Sequence, residues 1–83
     1  MADSAVEIEN LVRFLVTSLV DNPDAVEVVS AQADGILTLE LKLETEDIGK
    51  VIGRQGRVIK AIRTIARAAG SQSDLQVEVE VLG

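Results

Sequence analysis

Two stretches of this chain alternate strictly between apolar and polar residues. Leu37, Leu39, Leu41 and Leu43 are separated by Thr38, Glu40 and Lys42, and Leu75, Val77, Val79 and Val81 by Gln76, Glu78 and Glu80. A period of two predicts strands with one apolar and one polar face. Such a sheet must cover its apolar side, and 83 residues supply only one core of useful size. The chain is therefore expected to be one α+β domain spanning 1–83, with its core at about 5–82. Hydrophobic residues make up 47% of the sequence, yet Phe14 is the only aromatic and Pro23 the only proline. Valine, isoleucine, leucine and alanine must build that core.

The remaining segments supply the cover. Ser4 and Glu7 have the spacing of a capping box at a helix start. The first helix is predicted to run to about Val20, with Ile8, Leu11, Val12, Leu15 and Leu19 on its buried stripe. The Asp21-Asn22-Pro23-Asp24 cluster should stop it. Val26, Val28 and Val29 mark a short strand, and a turn at Asp34-Gly35 pairs it with the leucine strand as an antiparallel hairpin. Thr45 can cap a second helix, with Glu46 and Asp47 set against its positive end. Gly49 weakens that helix and Gly53 can end it. A third helix should start near Arg57, bury Val58 or Ile59, Ile62, Ala66 and Ala69, and close at Gly70. The predicted order is α-β-β-α-α-β: a three-stranded mixed sheet, its second and third strands parallel through a right-handed crossover, with three helices on one face and water on the other.

Composition removes several classes of function. With no Cys and no His there is no disulfide scaffold, zinc finger, thiol chemistry or histidine acid-base catalysis. No nucleophile-base pair is visible, so the chain is not expected to be an enzyme or to need a cofactor; carboxylate-only metal sites stay formally open. No apolar run is long enough to cross a membrane and no leader pattern opens the chain, which makes the cytoplasm the default location. The net charge of -6 argues against a nucleic-acid binder, but the local distribution reverses this. Lys50, Arg54, Arg57, Lys60, Arg63 and Arg67 fall in one segment without a single acid, while only Arg13 and Lys42 face all fourteen acids elsewhere. An acidic body would repel nucleic acid from every face but one.

That basic segment contains the sharpest motif, Val51-Ile52-Gly53-Arg54-Gln55-Gly56-Arg57-Val58-Ile59-Lys60-Ala61-Ile62. Glycines at both ends of the link between two helices permit a tight turn and close approach of a ligand. Amides at the start of the third helix, with its dipole, suit a phosphate oxygen, and Arg54, Arg57 and Lys60 add charge. The string resembles the KH-domain pattern VIG-x-x-G-x-x-I-K-x-I, and the element order resembles the type II, bacterial version of that fold. In length and pattern the chain is similar to the small single-domain KH proteins of the KhpA (YlqC) family, regarded as RNA chaperones.

The resemblance implies sequence-tolerant binding of about four single-stranded RNA nucleotides by the loop and the groove beside it. It also implies homodimers, and a heteromer with a larger KH-domain protein acting on cellular RNA, cell length and cell-wall homeostasis. Carried onto this chain, Gly53, Arg54, Gln55 and Gly56 correspond to the phosphate-gripping loop. Ile52 and Ile59 would build the helix junction and groove, and Lys50, Arg57 and Lys60 would add backbone contacts. Arg63 and Arg67 serve solubility as readily as RNA. A second function remains open from the residues alone: a protein-interaction adaptor whose glycine face contacts protein, with RNA bound only in complex.

Overall fold

The leucine alternation becomes the middle of the molecule. In the computed structural model, which describes residues 4–82, α1 (Ser4–Thr17) leads into the hairpin β1 (Glu27–Ala33) and β2 (Ile36–Lys42). α2 (Thr45–Ile52) and α3 (Arg57–Ser71) follow, and β3 (Gln76–Leu82) ends the described chain. Short 3-10 turns lie at Pro23–Ala25 and Arg54–Gly56. The sheet order is β1-β2-β3, with β1 antiparallel and β3 parallel to β2. The fold is thus α+β in the expected α-β-β-α-α-β order, with the three helices packed together.

The register, which sets Leu39 beside Val79, aligns Leu37, Leu39, Leu41, Val77 and Val79 on the helix-facing side, where all are buried. Ile8, Val12 and Val16 from α1, Val51 from α2, and Ile59, Ile62 and Ala66 from α3 complete the core. Each fully buried leucine contributes about 1.5–3 kcal/mol through the surface it withdraws from water. Gly70 lets α3 settle onto the sheet: a Cβ there would lie 2.5 Å from Val77 Cγ2 and 2.6 Å from the Leu75 carbonyl oxygen. The Asp34-Gly35 turn is as expected, with φ of 54° and 78°. Two consecutive positive φ values match the two-residue turn that suits strand twist.

Four details differ from expectation. α1 stops at Thr17, not near Val20. The Thr17 hydroxyl donates to the Arg13 carbonyl at 2.8 Å and the Ser18 hydroxyl to that of Phe14 at 2.6 Å. These side chains serve carbonyls at the helix end before the Pro23 cluster is reached. The buried line is Ile8, Val12 and Val16, with Leu11 and Leu15 half-buried and Leu19 exposed. At the start of α2, Glu44 occupies the N-cap position and Thr45 is already helical. Finally, β1 lacks a buried apolar face: only Val28 is half-buried and the rest of the strand is exposed.

Candidate nucleic-acid interface

The α2–α3 junction is built by one steric requirement and two conformational ones. Gly53 ends α2 with φ 75°, its amide donating to the Gly49 carbonyl at 2.9 Å. A Cβ at Gly53 would sit 2.4 Å from Val58 Cγ2 and 2.9 Å from the Val58 backbone nitrogen, so any other residue collides with the first turn of α3. Gln55 and Gly56 follow in left-handed conformation, with φ of 56° and 74°. A Cβ at Gly56 would meet only ordinary van der Waals contacts, with Ile59 Cγ2 at 3.9 Å and Lys60 Cε at 4.0 Å. Packing therefore demands glycine at 53, whereas at 56 only backbone conformation and access do.

The Gly56 and Arg57 amides donate to the Gly53 and Arg54 carbonyls. Both donors close the turn, so the free-amide site expected at the start of α3 is narrower than the sequence suggests, and side-chain cations carry more of any anion binding. Arg54, Gln55, Arg57 and Lys60 are exposed around the turn. Arg57 reaches Gln55 Oε1 at 3.4 Å, and the Lys60 stem passes over Gly56. Among the described residues, no carboxylate forms an ion pair with Arg54, Arg57 or Lys60. Ile52 and Val58 are half-buried beside them, and Ile59 is buried, supporting the junction from below.

Lys50 lies in a different environment. Its ammonium pairs with Asp21 and with Asp47, the latter at 3.4 Å. Asp47 is only 1% exposed, and its carboxylate accepts the Asp21 amide at 3.1 Å, the Asn22 amide at 3.0 Å and Asn22 Nδ2 at 3.1 Å. Asp47 is therefore a buried clamp that ties α2 to the segment after α1, rather than a solvated helix-start charge. Arg63 also has a structural partner: its Nε donates to the Val79 carbonyl on β3 at 3.1 Å.

The clamp predicts an acid dependence. Burial alone would raise the Asp47 pKa, but the Asp21 amide, the Asn22 side-chain and backbone amides and Lys50 outweigh it and hold the group below its ordinary 3.8. A depressed carboxyl contributes stability that is complete above its unfolded pKa and is lost as pH falls through the folded one. For Lys50, the hydrogen bond to Asp21 outweighs desolvation and, with Asp47, raises the pKa above 10.5, so its contribution is full below 10.5 and lost as pH climbs beyond it. Asp47→Asn should lower Tm at pH 7 on the order of 5 °C. Thermal melts across pH should show that gap narrowing once the pH drops below 3.8; a gap unchanged down to full acid unfolding would contradict the clamp.

Among the described residues, no group of three or more His, Cys, Asp or Glu is arranged to hold a metal ion, and no helix is long and apolar enough to cross a membrane. The parallel β2–β3 pair, the α2–α3 crossover and the Gly53–Gly56 junction define a type II KH domain. A profile described as KhpA/KhpB, KH domain, matches residues 9–81. A protein of Caldanaerobacter subterraneus named RNA-binding protein KhpA is 47% identical over 72 residues, covering 87% of this chain and 96% of the relative. Proteins of the same name from Bacillus subtilis and Listeria monocytogenes are 46% and 42% identical over 74 residues, covering 89% of this chain and 91% and 97% of theirs. The chain belongs to the KhpA family of bacterial single-KH-domain proteins.

Proposed function

We propose that this chain binds single-stranded RNA with the Gly53–Gly56 turn and the cations around it, acting as an RNA chaperone or post-transcriptional regulator. The carrying observation is the set of three exposed cations, Arg54, Arg57 and Lys60, paired with no carboxylate among the described residues and gathered at a helix junction with glycine at each end, in a protein of net charge -6. The curated relatives bear the name RNA-binding protein, in keeping with this function. Arg54 and Gln55 would meet the sugar-phosphate path, with Arg57 and Lys60 flanking it and bases lying over Ile52 and Val58. Lys50 would add least, because Asp21 and Asp47 already neutralise it.

Without aromatic stacking platforms, affinity from one copy is electrostatic and weak. Neutralising three or four phosphates of a single strand gives a slope of log affinity against log salt of roughly -2 to -3. Titration of a short unstructured RNA at several salt concentrations measures it, and a slope near zero would remove the mechanism.

Pairing would raise the effective concentration of such weak sites. A homodimer, and a heteromer with a larger KH-domain protein serving cell-length and cell-wall homeostasis, complete the proposal. Exposed Val6, Phe14 and Ile65 give those contacts an apolar surface on the helices. Light scattering with and without saturating RNA should show an assembly state that RNA leaves unchanged. Loss of the assembly on adding RNA would instead place the glycine turn in a protein interface.

A further inference from the structure

The two edges of the sheet are finished differently. On β3, Arg63 of α3 covers the Val79 carbonyl. On β1 nothing comparable occurs. The Ala33–Ile36 pair flanks a two-residue turn, so Glu27, Val29, Ala31 and Ala33 exchange hydrogen bonds with β2, while the amides and carbonyls of Val28, Ser30 and Gln32 point outward. Among the described residues, no hydrogen bond reaches those outward groups. The edge also lacks the usual protections: the pairing runs from Glu27 to Ala33 without a bulge, and the strand contains no proline or lysine. From Val29 to Ala33 every residue is exposed.

Charge selects the occupant. The open face of the sheet presents Glu27 on β1, Glu40 on β2, and Glu78 and Glu80 on β3, against Lys42 alone, and Asp34 adds another acid at the hairpin tip. Val29 stands directly between an added strand and Glu40, but Ala31 beside it is small, so a long cationic side chain crossing β1 at Ala31 could reach diagonally toward Glu40, about 12 Å away at ordinary strand spacing and rise. A second copy pairing through the same edge would instead join two acidic faces into one, in a chain of net charge -6. Nucleic acid is repelled by the same field.

We infer that the outer edge of β1, from Val28 to Gln32, is a docking site for an extended segment of a partner protein with lysine or arginine at alternate positions, added as a fourth strand. The site lies away from the glycine turn and is independent of RNA binding there.

The test uses the full chain, isotope-labelled, with a peptide of about seven residues alternating lysine and valine, and a control with glutamate replacing lysine. The lysine peptide should slow hydrogen exchange at the Val28, Ser30 and Gln32 amides on the order of tenfold and leave residues 53–57 unchanged. Ser30→Pro removes one outward donor without breaking a bond to β2, and should abolish the slowing at Val28 and Gln32 while Val29 and Ala31 stay protected. Glu40→Lys, a second variant that leaves the edge backbone intact, should weaken the effect. No slowing by the lysine peptide, equal slowing by the glutamate peptide or in Glu40→Lys, or protection that rises with protein concentration alone would overturn the inference.

Discussion

Replacing Arg54 and Gln55 together by aspartate should cut the affinity for short single-stranded RNA by roughly tenfold to a hundredfold, with the fold intact. Both side chains are exposed, and neither belongs to the core. The change replaces a cation with two carboxylates where the account places an anionic backbone. It does not strain the turn, because Gln55 holds φ 56° and aspartate accepts that conformation better than glutamine does. Circular dichroism should show an unchanged helix signal and a Tm within a few degrees of the parent, as expected for exposed substitutions. A folded double variant that binds RNA as well as the parent would remove the turn from the mechanism.

The two glycines of that turn should separate stability from binding. Gly53→Ala puts a methyl group 2.4 Å from Val58 Cγ2 and 2.9 Å from the Val58 backbone nitrogen, at φ 75°. The backbone of α3 must move, and overpacking with left-handed strain should cost about 2–4 kcal/mol. In a domain of this size that lowers Tm by on the order of 10–20 °C. Gly56→Ala meets only ordinary contacts at 3.9 and 4.0 Å, so the left-handed backbone alone should cost about 1 kcal/mol. Its methyl group would nevertheless occupy the open approach that a phosphate needs, and RNA affinity should fall clearly more than stability does. Denaturant melts and RNA titrations on the two variants measure the separation. Equal stability losses would refute the packing difference, and unaffected binding in Gly56→Ala would refute close approach at that position.

Much of the architecture could be read from local pattern. The alternation in β2 and β3, the Asp34-Gly35 turn and the Gly53–Gly56 junction depend on neighbouring residues and appear where expected. The α1 stripe was ambiguous because a helical apolar face is broad: Leu11 with Leu15 and Val12 with Val16 both satisfy the period. Packing against the sheet chose the valines. The helix end depended on the hydroxyls of Thr17 and Ser18, whose bonds to preceding carbonyls the nearby proline obscured.

The residues with long-range partners were illegible. Asp47 reads as a surface charge until Asp21 and Asn22 approach it across the fold, and Lys50 belongs to the basic segment by sequence but to an acidic cluster in space. Arg63 had no local signal for its bond to the β3 edge. Among the cations assigned to the site, Arg54, Arg57 and Lys60 gather at the turn with no carboxylate partner among the described residues, whereas Lys50 is neutralised. That contrast could not be drawn from spacing alone.

Amide and side-chain chemical shifts of the full chain, followed while a short unstructured RNA is added, interrogate the central assignment most directly. Changes should concentrate from Gly53 to Lys60, extend to Ile52, and spare Glu40, Glu78 and Glu80 on the acidic face. Saturable binding with no response at Gly53 to Arg57, or with its main response on the open face of the sheet, would contradict the account.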